Sequence, residues 1–155
     1  APFWKGTAWT ALLALDLGSN RLSGMLPAGL VTTFPALEEL NLQRNDLSGS
    51  LPLEWSAWET LELFNMADNY MSGVIDVVVS SMMDASLKFL DMSRNAGLSG
   101  ALPSVASPTH TAVKEIRLSE NWFNSTLPAS YGEYTALRVL DLGKNRLTGE
   151  IPSSW

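Results

Sequence analysis

The 155-residue chain has no cysteine and one histidine, His110. A thiol nucleophile and a disulfide framework are therefore excluded, and too few soft ligands remain for a zinc site. With no thiols to read, the redox compartment stays open. Long apolar runs are also missing. Stretches such as Val77-Val78-Val79 fall far short of the about 20 residues that span a bilayer. The opening APFWKG lacks a basic start and an apolar signal region, so any targeting segment is expected outside this chain. Basic residues are in deficit, 10 Lys and Arg against 16 Asp and Glu, for a net charge of −6. That balance argues against general binding to nucleic-acid phosphates. A 46% hydrophobic content with 17% charge excludes wholesale disorder. The length suits one domain, 1–155, with a sizeable core.

Repetition is what the chain does have. LDLGSNRLSGMLP (Leu15 to Pro27) returns near the end as LDLGKNRLTGEIP (Leu140 to Pro152). Between them lie LEELNLQRNDLSGSLP, LELFNMADNYMSGVID, LKFLDMSRNAGLSGALP and VKEIRLSENWFNSTLP. Six units thus start at 12, 37, 61, 87, 113 and 137, successive starts being 25, 24, 26, 26 and 24 residues apart. Residues 1–11 read as a partial N-terminal turn, and the last unit stops at Trp155. Solenoid ends expose apolar surface unless a polar unit covers them. The expectation is an excised or proteolysed piece of a longer protein.

The shared pattern is L-x-x-L-x-L-x-x-N-x-L-x-G-x-L-P. Alternating leucines point inward from a short strand while the residues between them point out. The inward columns run Leu15, Leu40, Phe64, Leu90, Ile116, Leu140 and Leu17, Leu42, Met66, Met92, Leu118, Leu142. A third runs Leu22, Leu47, Met71, Leu98, Phe123, Leu147. Each such side chain stabilises by about 1.5–3 kcal/mol when buried, largely offset by backbone ordering. An unbroken asparagine column, Asn20, Asn45, Asn69, Asn95, Asn121 and Asn145, reads as a structural ladder. Where the chain leaves the strand, an amide satisfies both donors and acceptors.

The pattern is that of a leucine-rich repeat. The resemblance implies an α/β-class solenoid with few helices: a right-handed coil, a parallel sheet on the concave face and an irregular or 3-10 convex side. The L-x-G-x-[LI]-P half resembles the plant-type subclass of about 24 residues, which often adds a second short strand. LPLEWSAWETL (Leu51 to Leu61), LPASYGEYTAL (Leu127 to Leu137) and IPSSW (Ile151 to Trp155) place an aromatic three residues after proline. That variant is similar to the surface antigens and proteophosphoglycans of trypanosomatid parasites. Departures are Asp76 in place of proline, an extra residue in Asn95-Ala96-Gly97-Leu98, and Ser125 in place of glycine.

Binding in such a coil belongs on the outward strand positions. Arg44, Asp68, Arg94, Glu120 and Lys144 alternate in sign just before the asparagines, a ladder that stability alone explains. Glu38, Glu62, Lys88, Lys114 and Arg138 instead stack like charges, which costs stability and points to a partner. Beside them run Glu39, Leu63, Phe89, Glu115 and Val139. Leu63 and Phe89 would form an apolar spot between an acidic and a basic side, as binding patches are built; scattered exposed apolar residues are the competing explanation. Asp16, Asn41, Asn65, Asp91, Arg117 and Asp141 offer oxygens to a hard cation or form a solvated face. Asn124-Ser125-Thr126 is the one N-x-[ST] sequon, a glycosylation candidate on a secretory route. His110 falls in the register of Phe34, Trp58 and Tyr134, as a packing or surface residue. Glu38 and Glu39 are consecutive in a strand and face different ways, so they make no acid–base pair.

The expectation is a non-catalytic, extracellular or cell-surface binding module, with no cofactor, metal or nucleic acid. Its partner-binding residues would be Glu38, Glu39, Glu62, Leu63, Lys88, Phe89, Lys114, Arg117 and Arg138. The trypanosomatid resemblance implies a secreted or lipid-anchored parent, held to a membrane only through a segment outside this chain. Its partner would be a protein, such as a host complement receptor, or a glycan. The alternatives are a plant-type receptor ectodomain, an inhibitor of cell-wall hydrolases, and a spacer that binds nothing.

Overall fold

The computed structural model describes residues 9–95, 97–105 and 112–155. His110, the first eight residues of the N-terminal turn and Ala96 of the inserted stretch lie outside them. In chain order the first strands are β1 (Ala14–Asp16), β2 (Ser23–Met25), β3 (Glu39–Asn41), β4 (Asp46–Gly49), β5 (Leu63–Asn65) and β6 (Tyr70–Val74). They are followed by β7 (Phe89–Asp91), β8 (Gly97–Gly100), β9 (Glu115–Arg117), β10 (Trp122–Phe123) and β11 (Val139–Asp141). The odd-numbered strands form one six-stranded parallel sheet in the order β1-β3-β5-β7-β9-β11. The even-numbered strands form a second sheet, β10-β8-β6-β4-β2. This is a leucine-rich repeat solenoid, each coil adding one strand to the concave sheet.

Register follows the leucine pattern. Leu15 pairs with Leu40, Leu40 with Phe64, Phe64 with Leu90, Leu90 with Ile116 and Ile116 with Leu140. The inward columns are most deeply buried in the middle coils, where Leu40, Phe64 and Ile116 are fully enclosed. Toward the first coil they open to solvent, and Leu17 and Leu22 are exposed.

The convex side carries short helices. Leu53–Ala57 and Ala129–Glu133 are 3-10 turns, and Leu30–Thr33 is a single α-turn, α1. Where Asp76 replaces proline, a longer helix forms, α2 (Asp76–Ala85), burying Val78, Val79, Met82 and Met83. Proline would fix an extended entry there, whereas aspartate in the first turn suits the positive end of a helix.

The aromatic positions of the L-P-x-x-aromatic segments have a structural use that the sequence reading missed. Trp55 Nε1 donates to the Pro27 carbonyl at 3.3 Å, Tyr131 Oη to that of Pro103 at 2.7 Å, and Trp155 Nε1 to that of Pro128 at 3.2 Å. Each ties one coil to the proline of the coil before it. Trp55 also meets Trp58 edge-on at 5.2 Å, and both rings are buried.

A feature hidden in the sequence is the backbone just ahead of the asparagines. Ser19, Arg44, Asp68, Arg94, Glu120 and Lys144 all have φ between 54° and 58°. These are left-handed residues without a glycine among them, each costing about 1–2 kcal/mol. They turn the next asparagine into the coil. The amides from Ser19 to Glu120 also donate to the neighbouring coil, as Arg44 N does to the Ala67 carbonyl at 2.9 Å.

Candidate functional site

The polar columns separate once their hydrogen bonds are traced. Asn45 Nδ2 donates to the carbonyls of Leu17, Leu42 and Gln43, and its Oδ1 accepts from Leu22 N. Asn69, Asn95, Asn121 and Asn145 repeat the scheme between their own coil and the one before. The inserted residue leaves a trace: Asn121 Oδ1 accepts from Asn95 N, whereas Asn145 Oδ1 accepts from Phe123 N, two residues past its asparagine. Asn20, expected in the interior, is exposed and, among the described residues, bonds only the Leu17 and Gly18 carbonyls of its own turn.

The column suggested for a hard cation is occupied by local turns. Asp16 Oδ1 accepts from Gly18 N, Asn41 from Gln43 N, Asn65 from Ala67 N, Asp91 from Ser93 N and Asp141 from Gly143 N. Arg117 is the exception and pairs instead with Glu115. Among the described residues no group of three or more acidic or histidine side chains is placed to hold a metal.

The alternating charges lie in the turn beyond the strands, on the left-handed positions. They form a continuous ladder. Asp68 sits between Arg44 (3.8 Å) and Arg94 (3.5 Å), and Glu120 between Arg94 (3.3 Å) and Lys144 (3.3 Å). Hydrogen bonds to Glu120 and the nearby Asp68 hold the Arg94 guanidinium above its usual pKa, and those from Arg94 and Lys144 lower that of Glu120. Every member has a partner within the molecule.

The stacked charges differ. Each lies one residue ahead of its strand, and from Glu38 to Lys114 its carbonyl receives two amides of the next coil, as that of Glu38 does from Glu62 and Leu63. Where the sign changes, Lys88 Nζ meets Glu62 Oε1 at 2.6 Å, so the column is less repulsive than its composition suggests. Glu38 and Glu39 at one end and Arg138 at the other are exposed.

Between these ends the sheet has a depression of about 160 Å³, lined by Leu63, Asn65, Phe89, Asp91, Glu115 and Arg117 with the backbone of Phe64 and Leu90. Leu63 and Phe89 are adjacent in register. Both are half-buried rather than fully exposed, and Lys114 Nζ lies 5.6 Å from the Phe89 ring centre. The structure thus gathers Leu63, Phe89, Lys114 and Arg117, with Glu62 and Lys88 paired at the rim. Its lining mixes the apolar Leu63 and Phe89 with Asn65, Asp91 and the Glu115–Arg117 pair, while Glu38, Glu39 and Glu62 lie toward one side and Lys114 and Arg138 toward the other. At that volume the depression is smaller than the several hundred Å³ of a small-molecule site.

Outside the concave sheet, Tyr70 and Trp122 are exposed at the start of β6 and β10. Sequence reasoning passed over them; the signal was an aromatic directly after the ladder asparagine. A larger apolar groove of about 500 Å³, lined by residues including Trp9, Met25, Leu26 and Phe34, is the exposed end of the core at the first coil.

Comparison with known proteins agrees with this architecture. A family model described as Leucine Rich Repeat matches residues 36–58 and 136–155. The chain is 28% identical to receptor-like protein kinase BRI1-like 3 of Arabidopsis thaliana, over 96% of this chain and 13% of that protein. Among solved structures, the ectodomain of the Arabidopsis receptor kinase GASSHO1/SCHENGEN3, in complex with CASPARIAN STRIP INTEGRITY FACTOR 2, superposes with a TM-score of 0.84. Its identity is 33%, covering 92% of this chain and 17% of that one. The Arabidopsis receptor kinase HAESA, with the peptide hormone IDA and the co-receptor SERK1, gives a TM-score of 0.83 at 30% identity, over 92% and 23%. The repeats are of the plant type. The comparisons lend no support to the trypanosomatid resemblance, whose aromatic positions serve as ties between coils. The chain spans 13% of the length of BRI1-like 3 and 14% of phytosulfokine receptor 1, two of the curated relatives it matches.

Proposed function

We propose that this chain is a non-catalytic, extracellular recognition module that lays an extended peptide segment of a protein partner across its concave sheet. The observation that carries the reading is the half-buried Leu63–Phe89 depression at the centre of the sheet. The partner segment places an apolar side chain between Leu63 and Phe89. Its basic end runs toward Glu38 and Glu39, and its acidic end toward Lys114 and Arg138. Apolar anchors in a polar rim carry most of the energy of such contacts, and flanking charge sets orientation. Similar plant receptors, among them HAESA solved with the peptide hormone IDA and the co-receptor SERK1, favour a receptor-type ectodomain.

The test is selection from a random peptide library on the immobilised protein, with Leu63→Ser/Phe89→Ser as the paired target. The expected result is enrichment of peptides with a central apolar residue between basic and acidic ends. Their binding should fall more than about tenfold on the double variant, one buried apolar contact being worth about 1.5–3 kcal/mol. No enrichment, or equal binding to both targets, sinks the reading and leaves the spacer interpretation.

A further inference from the structure

Asn124 opens the one sequon of the chain and follows an exposed tryptophan, Trp122, by two residues. The backbone there departs from the other coils. Gly24, Gly49, Gly73, Gly100 and Gly149 all adopt φ between 82° and 92°. Repeat five has Ser125 at this position, outside the left-handed region, and β10 is only two residues long. The Ser125 hydroxyl takes up the local hydrogen bonding, accepting from Leu102 N at 3.2 Å and donating to the Thr126 carbonyl at 3.0 Å. Asn124 and Thr126 are exposed. Asn124 N donates to the Gly100 carbonyl at 3.2 Å, so the chain stays pinned along β8 as it passes the sequon.

Trp122 precedes Asn124 by two residues. Alternate residues of extended chain point the same way, about 6.6 Å apart. Trp122 is 48% exposed, and Arg146 covers one face of the ring with its Cζ 4.6 Å from the centre. Even with this contact, about half of the residue's surface stays exposed.

We propose that Asn124 is an N-glycosylation site whose first N-acetylhexosamine packs on the open face of Trp122. The donor class is a lipid-pyrophosphate-linked oligosaccharide. Asn124 Nδ2 loses a proton and bonds to the sugar's anomeric carbon, while the bond from that carbon to the pyrophosphate oxygen breaks and the lipid pyrophosphate leaves with its electron pair. The sugar's axial C–H groups lie against the indole, replacing exposed apolar surface with a hydrated glycan. Trp122 belongs to the second sheet and Asn124 follows directly on its strand, so the concave sheet remains open to its partner. This rests on the extracellular placement proposed above.

The experiment routes the protein through a eukaryotic secretory pathway with an appended signal and measures glycan mass at Asn124. It then compares melting temperatures in a four-member cycle: the original chain, Asn124→Gln, Trp122→Ala and the double variant. The expected result is one glycan at Asn124, absent in Thr126→Ala. Its loss should lower Tm by about 2–4 °C in the original and leave Tm unchanged in the Trp122→Ala background, with Trp122→Phe intermediate. A secreted chain bare at Asn124 overturns the proposal. So does a glycan whose loss costs the same with and without Trp122. Peptide selection on the same glycoform reports the concave site separately, so either reading can fail alone.

Discussion

Replacing Asn95 by alanine tests whether the asparagine ladder holds the coils together. Asn95 is fully buried. Its Nδ2 donates to the carbonyls of Met66 at 2.9 Å and of Met92 and Ser93 at 3.2 Å each, and its Oδ1 accepts from Met71 N at 3.0 Å. The three carbonyls keep other donors: Asn69 on Met66, Asn121 on Met92 and the Asp68 amide on Ser93. The Met71 amide is left facing a methyl group inside the core. One such donor costs about 1–3 kcal/mol, and the space vacated by the amide adds about 1 kcal/mol. The expected loss is therefore about 2–4 kcal/mol. At about 2–4 °C per kcal/mol for a domain of this size, Asn95→Ala should lower Tm by about 5–15 °C. Asn20→Ala is the control, because water replaces its two bonds at an exposed site; it should cost under about 1 kcal/mol. Thermal and urea unfolding followed by far-UV circular dichroism measures both. Equal destabilisation at the two positions would refute the reasoning, since burial is what separates them.

Three further outcomes follow from the same accounting. Tyr131→Phe removes the 2.7 Å bond to the Pro103 carbonyl and should cost about 1–2 kcal/mol in urea unfolding. Burial holds the Tyr131 hydroxyl above its usual pKa, and burial raises Tyr134 in the same direction. The folded state therefore keeps protons that the unfolded chain gives up, so stability should fall as pH rises past about 10. Tyr131→Phe should flatten that alkaline decline, and an identical slope in both proteins counts against it. Arg44 has a φ of 54° and an exposed side chain. Arg44 already carries the left-handed strain, which a β-branched side chain increases and asparagine relieves. Arg44→Val should therefore be less stable than Arg44→Asn by about 1–2 kcal/mol, and matching urea midpoints for the two variants would remove strain as the cause. Glu120→Gln should lower Tm at low salt and less at 1 M salt, because the ladder it joins is exposed and screened; a salt-independent loss would point to another cause.

The concave sheet and its register were legible because a period of two in leucines specifies facing, and six copies over-determine it. Three things were not. The left-handed turn was invisible because arginine, aspartate, glutamate and lysine fill positions where glycine would signal the conformation; hydrogen bonds between coils impose it instead. The helix at Asp76–Ala85 was hidden because Val77-Val78-Val79 favours a strand by composition, while packing against the core decides for a helix. Exposure of Asn20 and Leu17 follows from their place on the first coil, since a repeat pattern gives the same reading to a middle unit and an end unit. At the candidate site, the positions of Leu63 and Phe89 were readable from the strand alternation. The Lys114 contact with Phe89 and the Glu62–Lys88 pair were not, because long side chains choose partners across coils.

The aromatic after L-P-x-x shows how a repeat separates architecture from recognition. A column that recurs at fixed register can be kept by contacts between coils alone, and each member then has a partner inside the molecule. Trp55, Tyr131 and Trp155 meet that condition through three proline carbonyls. So do the buried asparagines and the ladder from Arg44 to Lys144. Such columns cannot tell one lineage or ligand from another. Leu63 and Phe89 differ because they occupy outward positions of single coils, where the neighbouring coils carry Glu39 and Glu115 in the same register. The column also holds Ala14 and Val139 in its end coils, so what sets Leu63 and Phe89 apart is that they are adjacent and half-buried at its centre, between two glutamates. The proposed recognition site therefore lies where the repeat is broken in side-chain chemistry while its backbone stays regular.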